Sequence, residues 1–302
     1  MSGRHREHRS GCEVLKYLGV IGHPLKRSLS PVFQQAALDH MRLDIVYEAW
    51  PTPPDGLQTR ITTLRSPTVL GANVTIPHKE AVIAMVDHVD DLAARIGAVN
   101  TIVNQGGRLA GHNTDVSGLM RSLTKDGGFE PKGKRVVVAG AGGAARAAAA
   151  GLLEARAASV TVINRTLARA NRLVEDLRPY ADRSELRALP GMYASWAAVM
   201  SACDLLLNCT SAGSAGFDSE SPIPFDLIRS GMLVCDLIYD PAETALMAEA
   251  RNRGARTLGG LPMLVYQGAA SFELWTGEKA PLDVMFEAAR SLVEAGAAKG
   301  KK

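Results

Sequence analysis

Residues 135–155, RVVVAGAGGAARAAAAGLLEA, run from a short apolar strand pattern through a glycine-rich turn into a long alanine-rich helix. The spacing inside the turn, Gly140-x-Gly142-x-x-Ala145, is that of a dinucleotide-binding loop in its strand–turn–helix context. Gly140 makes the tight turn, Gly142 lets backbone approach a pyrophosphate, and Ala145 permits close helix–sheet contact. Ala141, Gly143 and Ala144 complete the loop, and the helix start offers free N–H groups to the phosphates. A NAD site usually places Asp or Glu about 20 residues further on, to hold the ribose hydroxyls. Here SVTVINRTLAR ends in Asn164-Arg165-Thr166, with Arg169 beyond and no acid before Glu175. Arginines and a hydroxyl suit a 2′-phosphate, so the cofactor expected is NADP(H).

Working outward, SVTVINR, a helix, DLLLNCT, LVCDLIY and a short ARTLGG continue the strand and helix alternation of a Rossmann-type domain. The ten residues KDGGFEPKGK (125–134), rich in Gly, Pro and charge, form the best internal boundary. Before them lies a second α/β run. YLGVIG reads as a buried strand, and SPVFQQAALDHM as a helix capped by Ser30 with Pro31 in its first turn. DIVYEAW is a strand, PTPPDG a loop, LQTRITTLRS a helix, VLGANVTI a strand and EAVIAMVDHV a helix. AVNTIVNQGGRLAGHNTD holds a hairpin-like pair around Gly106-Gly107. This alternation predicts a mainly parallel sheet in the first half, and so an α/β chain of two domains.

At 302 residues, 46% apolar and 22% charged, the chain has length for a large core and is not disordered. Its net charge of +3 sits in the tails, where Arg4, Arg6, Arg9, Lys299, Lys301 and Lys302 outnumber Glu7. The body between them is slightly acidic, which is not the footprint of a nucleic-acid-binding domain. Cys12, Cys203, Cys209 and Cys235 show neither C-x-x-C nor metal-ligand spacing and read as reduced, mostly buried thiols. The polar N-terminus lacks the apolar segment of a secretory signal, and no run is long enough to span a bilayer. The expectation is a cytoplasmic protein with no membrane or nucleic-acid partner. Neither an HExxH pattern nor paired histidine spacing points to a metal.

A nicotinamide cofactor needs the protein to supply orientation and a proton. The cofactor half has no Ser-x-x-x-Lys or Tyr-x-x-x-Lys pair, so the acid–base group falls to the first half. Three polar stretches there lie where strands meet turns, the usual place for an α/β site: KRSLSP, NVTIPHK and AVNT…GHNTD. Singly, each has an ordinary reading. Ser30 caps a helix, Lys79 is a surface lysine and Asp115 caps the helix VSGLMRSL.

Taken together and in order, GHPLKRSLSP, NVTIPHK, GAVNT, GHNTD, GAGGAARA, NRT, DLIYDP and GLPMLVYQGAASFELWTG resemble the successive signatures of the shikimate dehydrogenase family, covering residues 19–277. The resemblance implies NADPH-dependent, reversible reduction of 3-dehydroshikimate to shikimate on the path to aromatic amino acids. It implies that Ser28 and Ser30 grip the substrate carboxylate and that Asn73 and Thr75 contact the substrate. Lys79 would be the catalytic lysine, paired with Asp115, while Asn100, Tyr239 and Gln267 complete the substrate site. The cofactor would lie against the glycine loop, Asn164, Arg165, Thr166, Arg169, Thr210, Gly260 and Met263. The implied domains are 13–116 for substrate, completed by helices in 265–298, and 117–264 for NADP, with flexible basic tails at 1–12 and 299–302. The chain departs from the family at Arg27, where His is usual, at His78, where Phe is common, and at Ser214, where Met is often found. Rival readings are a quinate/shikimate dehydrogenase, which commonly prefers NAD, and a non-catalytic NADP-binding regulator. The retention of Lys79 and Asp115 argues against the regulator. One chain or a homodimer is equally open.

Overall fold

The computed structural model describes residues 15–25, 28–214, 221 and 223–299; the N-terminal arm with Cys12, and Arg27, lie outside them. The glycine loop opens an all-parallel sheet built from β7 (Arg135–Ala139), β8 (Ser159–Asn164), β9 (Glu185–Pro190), β10 (Leu205–Asn208), β11 (Leu233–Asp236) and β12 (Arg256–Leu258). Their order is β12-β11-β10-β7-β8-β9, so the winding reverses between β7 and β10. Helices α5 (Gly143–Glu154), α6 (Leu167–Leu177), α7 (Tyr193–Met200) and α8 (Ala245–Asn252) join these strands. Alternate residues of β7 feed separate cores: Val136 and Val138 one, Val137 and Ala139 the other. A strand buried on both faces needs an unbroken apolar run, and RVVV supplies it.

The first half forms a six-stranded sheet, ordered β2-β1-β3-β5-β6-β4. Its strands are β1 (Lys16–Gly22), β2 (Ile45–Pro51), β3 (Val69–Val74), β4 (His88–Val89), β5 (Thr101–Gln105) and β6 (Arg108–His112), with helices α1 (Ser30–His40), α2 (Leu57–Thr63), α3 (Asp91–Ile96) and α4 (Asp115–Arg121). The β1–β2, β1–β3 and β4–β6 pairs are parallel, whereas β5 runs antiparallel to both β3 and β6. The last two helices, α9 (Leu261–Thr276) and α10 (Leu282–Lys299), pack on this first sheet: Val265, Phe272 and Met285 share a core with Leu18, Val20 and Phe33. Helix α9 therefore begins beside the second sheet and ends on the first. At its start a Cβ on Gly260 would lie 2.1 Å from the Leu237 carbonyl, and near its end Trp275 Nε1 donates to the Ile102 carbonyl at 2.9 Å.

Several expected elements are corrected. Ser30 is not the cap of α1: Leu29 occupies that position in helical conformation, and Ser30 is the first helical residue. Asp115 likewise follows the cap position, held by Thr114, and its carboxylate accepts from Lys79 instead. The stretch EAVIAMVDHV forms only a short 3₁₀ turn, Ala81–Met85, before turning into β4. Only Val82 of that turn is buried, too small an apolar face to hold a longer helix. Helix α3, unread in the sequence, is capped by Asp90, whose side chain accepts from Ala93 N at 2.7 Å. Strand β9 and helix α7 went unread as well; ELRALP alternates weakly and becomes a strand through its pairing with β8.

Candidate active site

Strand β3 ends at Val74, and the turn 75–80 carries Lys79 toward the second sheet. The lysine's backbone carbonyl is fixed by Val99 N at 2.8 Å, and His78 anchors the turn through a 2.7 Å contact from Nε2 to the Thr52 carbonyl. His78 thus fills a buried structural position. Lys79 Nζ donates to Asp115 Oδ2 at 2.6 Å, with side-chain exposures of 16% and 4%. A pair this close in a largely dry setting is held far more firmly than a surface ion pair. The other carboxylate oxygen accepts from Asn100 Nδ2 at 2.9 Å, and the same amide nitrogen lies 3.1 Å from Gln267 Oε1. Lys79, Asn100, Asp115 and Gln267 therefore converge from β3, the start of β5, α4 and α9.

Behind them lies a buried polar wall. Asn73 accepts from Tyr47 Oη at 2.7 Å and donates to Ser271 Oγ at 2.9 Å, with Thr101 Oγ1 at 3.3 Å. Ser271 also meets Thr101 at 2.7 Å and Thr114 at 3.1 Å. Burial pushes the Tyr47 phenol well above its usual pKa, so it stays protonated and donates. The Asn73 amide is spent on the protein. Tyr47, Thr101, Thr114 and Ser271 were not singled out from sequence, although Ser271 stands one helical turn after Gln267 on the same face.

Other expected residues lie outside this cluster. The hydroxyls of Ser28, Ser30 and Thr75 make no hydrogen bond among the described residues, and remain free for a ligand. Tyr239 packs against the core of the first sheet, and its phenol is raised by burial and by Asp240. Ser214 Oγ donates to the Asp240 carbonyl at 3.4 Å.

Gly140 has φ +108°, and an added Cβ would stand 3.2 Å from the Cys209 carbonyl, so glycine is required for the turn itself. A Cβ on Gly142 would meet nothing within 4 Å, which leaves an open cradle before α5. Gly143 touches Lys79, since a Cβ there would lie 3.0 Å from the lysine Cδ. The Lys79–Asp115 pair and the glycine loop are thus direct neighbours. Where the winding reverses, Asn208 Oδ1 accepts from Thr210 N and Oγ1, and its Nδ2 donates to buried Asp236 at 2.9 Å. Burial pushes the Asp236 carboxyl up, while Thr244, Ile238 N and Asn208 hold it by hydrogen bonds. Arg165 is exposed and forms no ion pair among the described residues, while Asn164 Nδ2 donates to the Thr166 carbonyl. Met263 is buried in the core and presents little surface. A loop with an open cradle and a free arginine fits a phosphorylated dinucleotide.

No helix among the described residues is long and apolar enough to cross a membrane. The pattern of the family described as "Shikimate dehydrogenase substrate binding domain" matches residues 20–102, "Shikimate / quinate 5-dehydrogenase" matches 123–221, and "Shikimate 5'-dehydrogenase C-terminal domain" matches 260–290. A shikimate dehydrogenase (NADP(+)) of Moorella thermoacetica is 47% identical over 272 residues, 89% of this chain and 90% of the relative. Among solved structures, the Thermus thermophilus shikimate 5-dehydrogenase with NADP(H) and shikimate has a TM-score of 0.81 and 40% identity, covering 91% of this chain and 99% of that one. A Corynebacterium glutamicum quinate dehydrogenase with NAD superposes equally well, at a TM-score of 0.83, but is only 29% identical over 91% of this chain and 99% of that one. With both halves and the C-terminal helices matched, the chain belongs to the shikimate dehydrogenase family.

Proposed function

We propose that the chain catalyses the reversible NADPH-dependent reduction of 3-dehydroshikimate to shikimate. The observation that carries this reading is the Lys79–Asp115 pair seated against Gly143 of the phosphate loop. NADPH, when bound, supplies the hydride. Lys79 Nζ then gives a proton to the carbonyl oxygen as negative charge develops there, while Asp115 orients the ammonium. Asn100 holds the second carboxylate oxygen and so fixes which way Asp115 faces. The free hydroxyls of Ser28, Ser30 and Thr75 take up the substrate carboxylate and hydroxyls, Gln267 and Tyr239 close the site, and Asn73 supports it from behind. Gly140, Ala141, Gly142, Gly143 and Ala144 hold the pyrophosphate. Asn164, Arg165, Thr166 and Arg169 hold the 2′-phosphorylated ribose; Thr210, Gly260 and Met263 back the nicotinamide end. Residues 13–116 with 265–298 form the substrate domain in this reading, and 117–264 the cofactor domain. The buried, unpaired thiols Cys203 and Cys235 suit a reducing cytoplasm.

The likeness to a quinate dehydrogenase solved in complex with NAD supports a second reading, dual use of quinate. The absence of an acid between Ile163 and Glu175 argues for NADP instead. An assay crossing shikimate and quinate with NADP and NAD separates the two. Shikimate with NADP should give the highest kcat/KM by at least about tenfold, roughly 1.4 kcal/mol of transition-state preference. Faster turnover of quinate with NAD would overturn the proposal.

A further inference from the structure

Glu80 directly follows Lys79 and is shared between two arginines of the second sheet's helices. Its Oε1 lies 3.8 Å from Arg169 Nη2, and its Oε2 lies 3.9 Å from Arg146 Nε. The two arginines differ in every other respect. Arg169, in the first turn of α6, is 61% exposed, and its only ion pair among the described residues is with Glu80. Arg146, in the first turn of α5, is buried. Its Nη1 donates to the Ile96 carbonyl at 3.0 Å and its Nη2 to Asp176 at 2.7 Å. Its Nε has no hydrogen-bond partner although it is buried. An orphaned guanidinium N–H is costly, and the Glu80 carboxylate, 3.9 Å away, is about one ångström too far to satisfy it.

From this arrangement we infer that Glu80 is a positioning residue that couples occupancy of the 2′-phosphate site to the placement of Lys79. The inference rests on the proposed reading of the site as one for shikimate and NADP. A 2′-phosphate carries more negative charge than a carboxylate and offers more acceptor oxygens, so it draws Arg169 away from Glu80. Glu80 is then left to Arg146 and closes on the unpartnered Nε. That movement pulls the 77–80 turn toward α5 and presses Lys79 between Gly143 and Asp115. A ligand without the 2′-phosphate leaves Glu80 divided between the two arginines. Cofactor discrimination thus reaches the proton donor as well as the binding pocket.

The test needs no turnover. Shikimate binding is titrated calorimetrically in saturating adenosine 2′,5′-bisphosphate and, separately, in saturating 5′-AMP. The bisphosphate should tighten shikimate binding about fivefold relative to 5′-AMP, at the low end of typical coupling between sites. The ratio should shrink at high salt, because the Glu80 and Arg169 side chains are 45% and 61% exposed. Glu80→Gln keeps the shape and removes the charge; it should bring the ratio to one while the melting temperature stays near that of the native chain and the bisphosphate, freed of a competing carboxylate at Arg169, binds at least as tightly. An undiminished ratio in Glu80→Gln, or a ratio of one in the native chain, overturns the inference alone. Failure of shikimate to bind the native chain under any condition overturns the substrate reading together with it.

Discussion

Lys79 and Asp115 lie 36 positions apart and meet at 2.6 Å because the turn after β3 and the start of α4 face one another across the end of the first sheet. General acid–base help of the proposed kind is worth about 10²–10⁴-fold, so Lys79→Ala should lower kcat by that much. Asp115→Asn keeps the contact with Asn100 but leaves the ammonium without its counter-charge, and a comparable loss is expected. Because the two act as a unit, the double variant should be scarcely slower than either single one. Steady-state kinetics on folded variants decide it: near-normal kcat in Lys79→Ala would make the lysine a structural ion-pair partner only. Both residues were legible in the sequence, since each sits in a polar turn just past an apolar strand. The wall behind them was not. Tyr47, Thr101 and Ser271 look like ordinary strand and helix residues until the elements meet, when Thr101 and Ser271 pair through their hydroxyls and Tyr47 Oη reaches Asn73. Arg146 gave a fainter sign as the lone charge in an alanine run, but its contacts to Ile96 and Asp176 depend on tertiary contact.

At the scale of elements, the strand–turn–helix at 135–155 was read correctly because backbone geometry dictates its residue types. Gly140 and Gly142 serve different ends, and substitution separates them. Gly140 has a positive φ that a side chain resists, so Gly140→Ala strains the turn by roughly 1–3 kcal/mol and lowers the melting temperature. Gly142 has φ −97°, which alanine adopts, and its absent Cβ faces open space. Gly142→Ala should therefore leave the fold almost intact, costing under about 1 kcal/mol as a change of helix cap. Its methyl would stand where the pyrophosphate approaches, and NADP affinity should fall by about tenfold or more, roughly 1.4 kcal/mol. Fluorescence titration with NADPH beside a thermal melt reads both effects; unchanged affinity in Gly142→Ala would mean that the loop does not take the phosphates. Elements without such a geometric demand were harder to read. The turn at Ala81–Met85 has a helical composition but too little buried surface to extend, and β9 depends on its neighbour β8 for its shape.

Across the whole molecule, two sheets were legible from the alternation of strands and helices, but not how firmly they are joined. One apolar core contains Ile96, Ala98 and Val116 from the first half together with Val136, Ala145 and Leu205 from the second. Arg146 adds a polar tie to the Ile96 carbonyl, and α9 runs from the Leu237 carbonyl to the Ile102 carbonyl. So extensive a junction should make the two halves open together. The thiols of the second sheet report on this. Burial pushes Cys203 up to about 12, and burial with the Asp236 carboxylate raises Cys235 further. A thiol whose pKa is raised stays protonated at pH 7–8, and only the thiolate reacts, so labelling must wait for the chain to open. Where reclosing outruns labelling, the rate follows the population of the open state. A ligand at 100 times its Kd stabilises the closed state by about 2.7 kcal/mol, or about 100-fold in that population. Shikimate, gripped in the proposed reading largely by residues of the first half, should therefore slow the labelling of Cys203 and Cys235 by nearly this factor, read peptide by peptide in a mass spectrometer. If NADP protects these thiols and shikimate does not, the second sheet opens alone, and the shared core does not bind the halves into one cooperative unit.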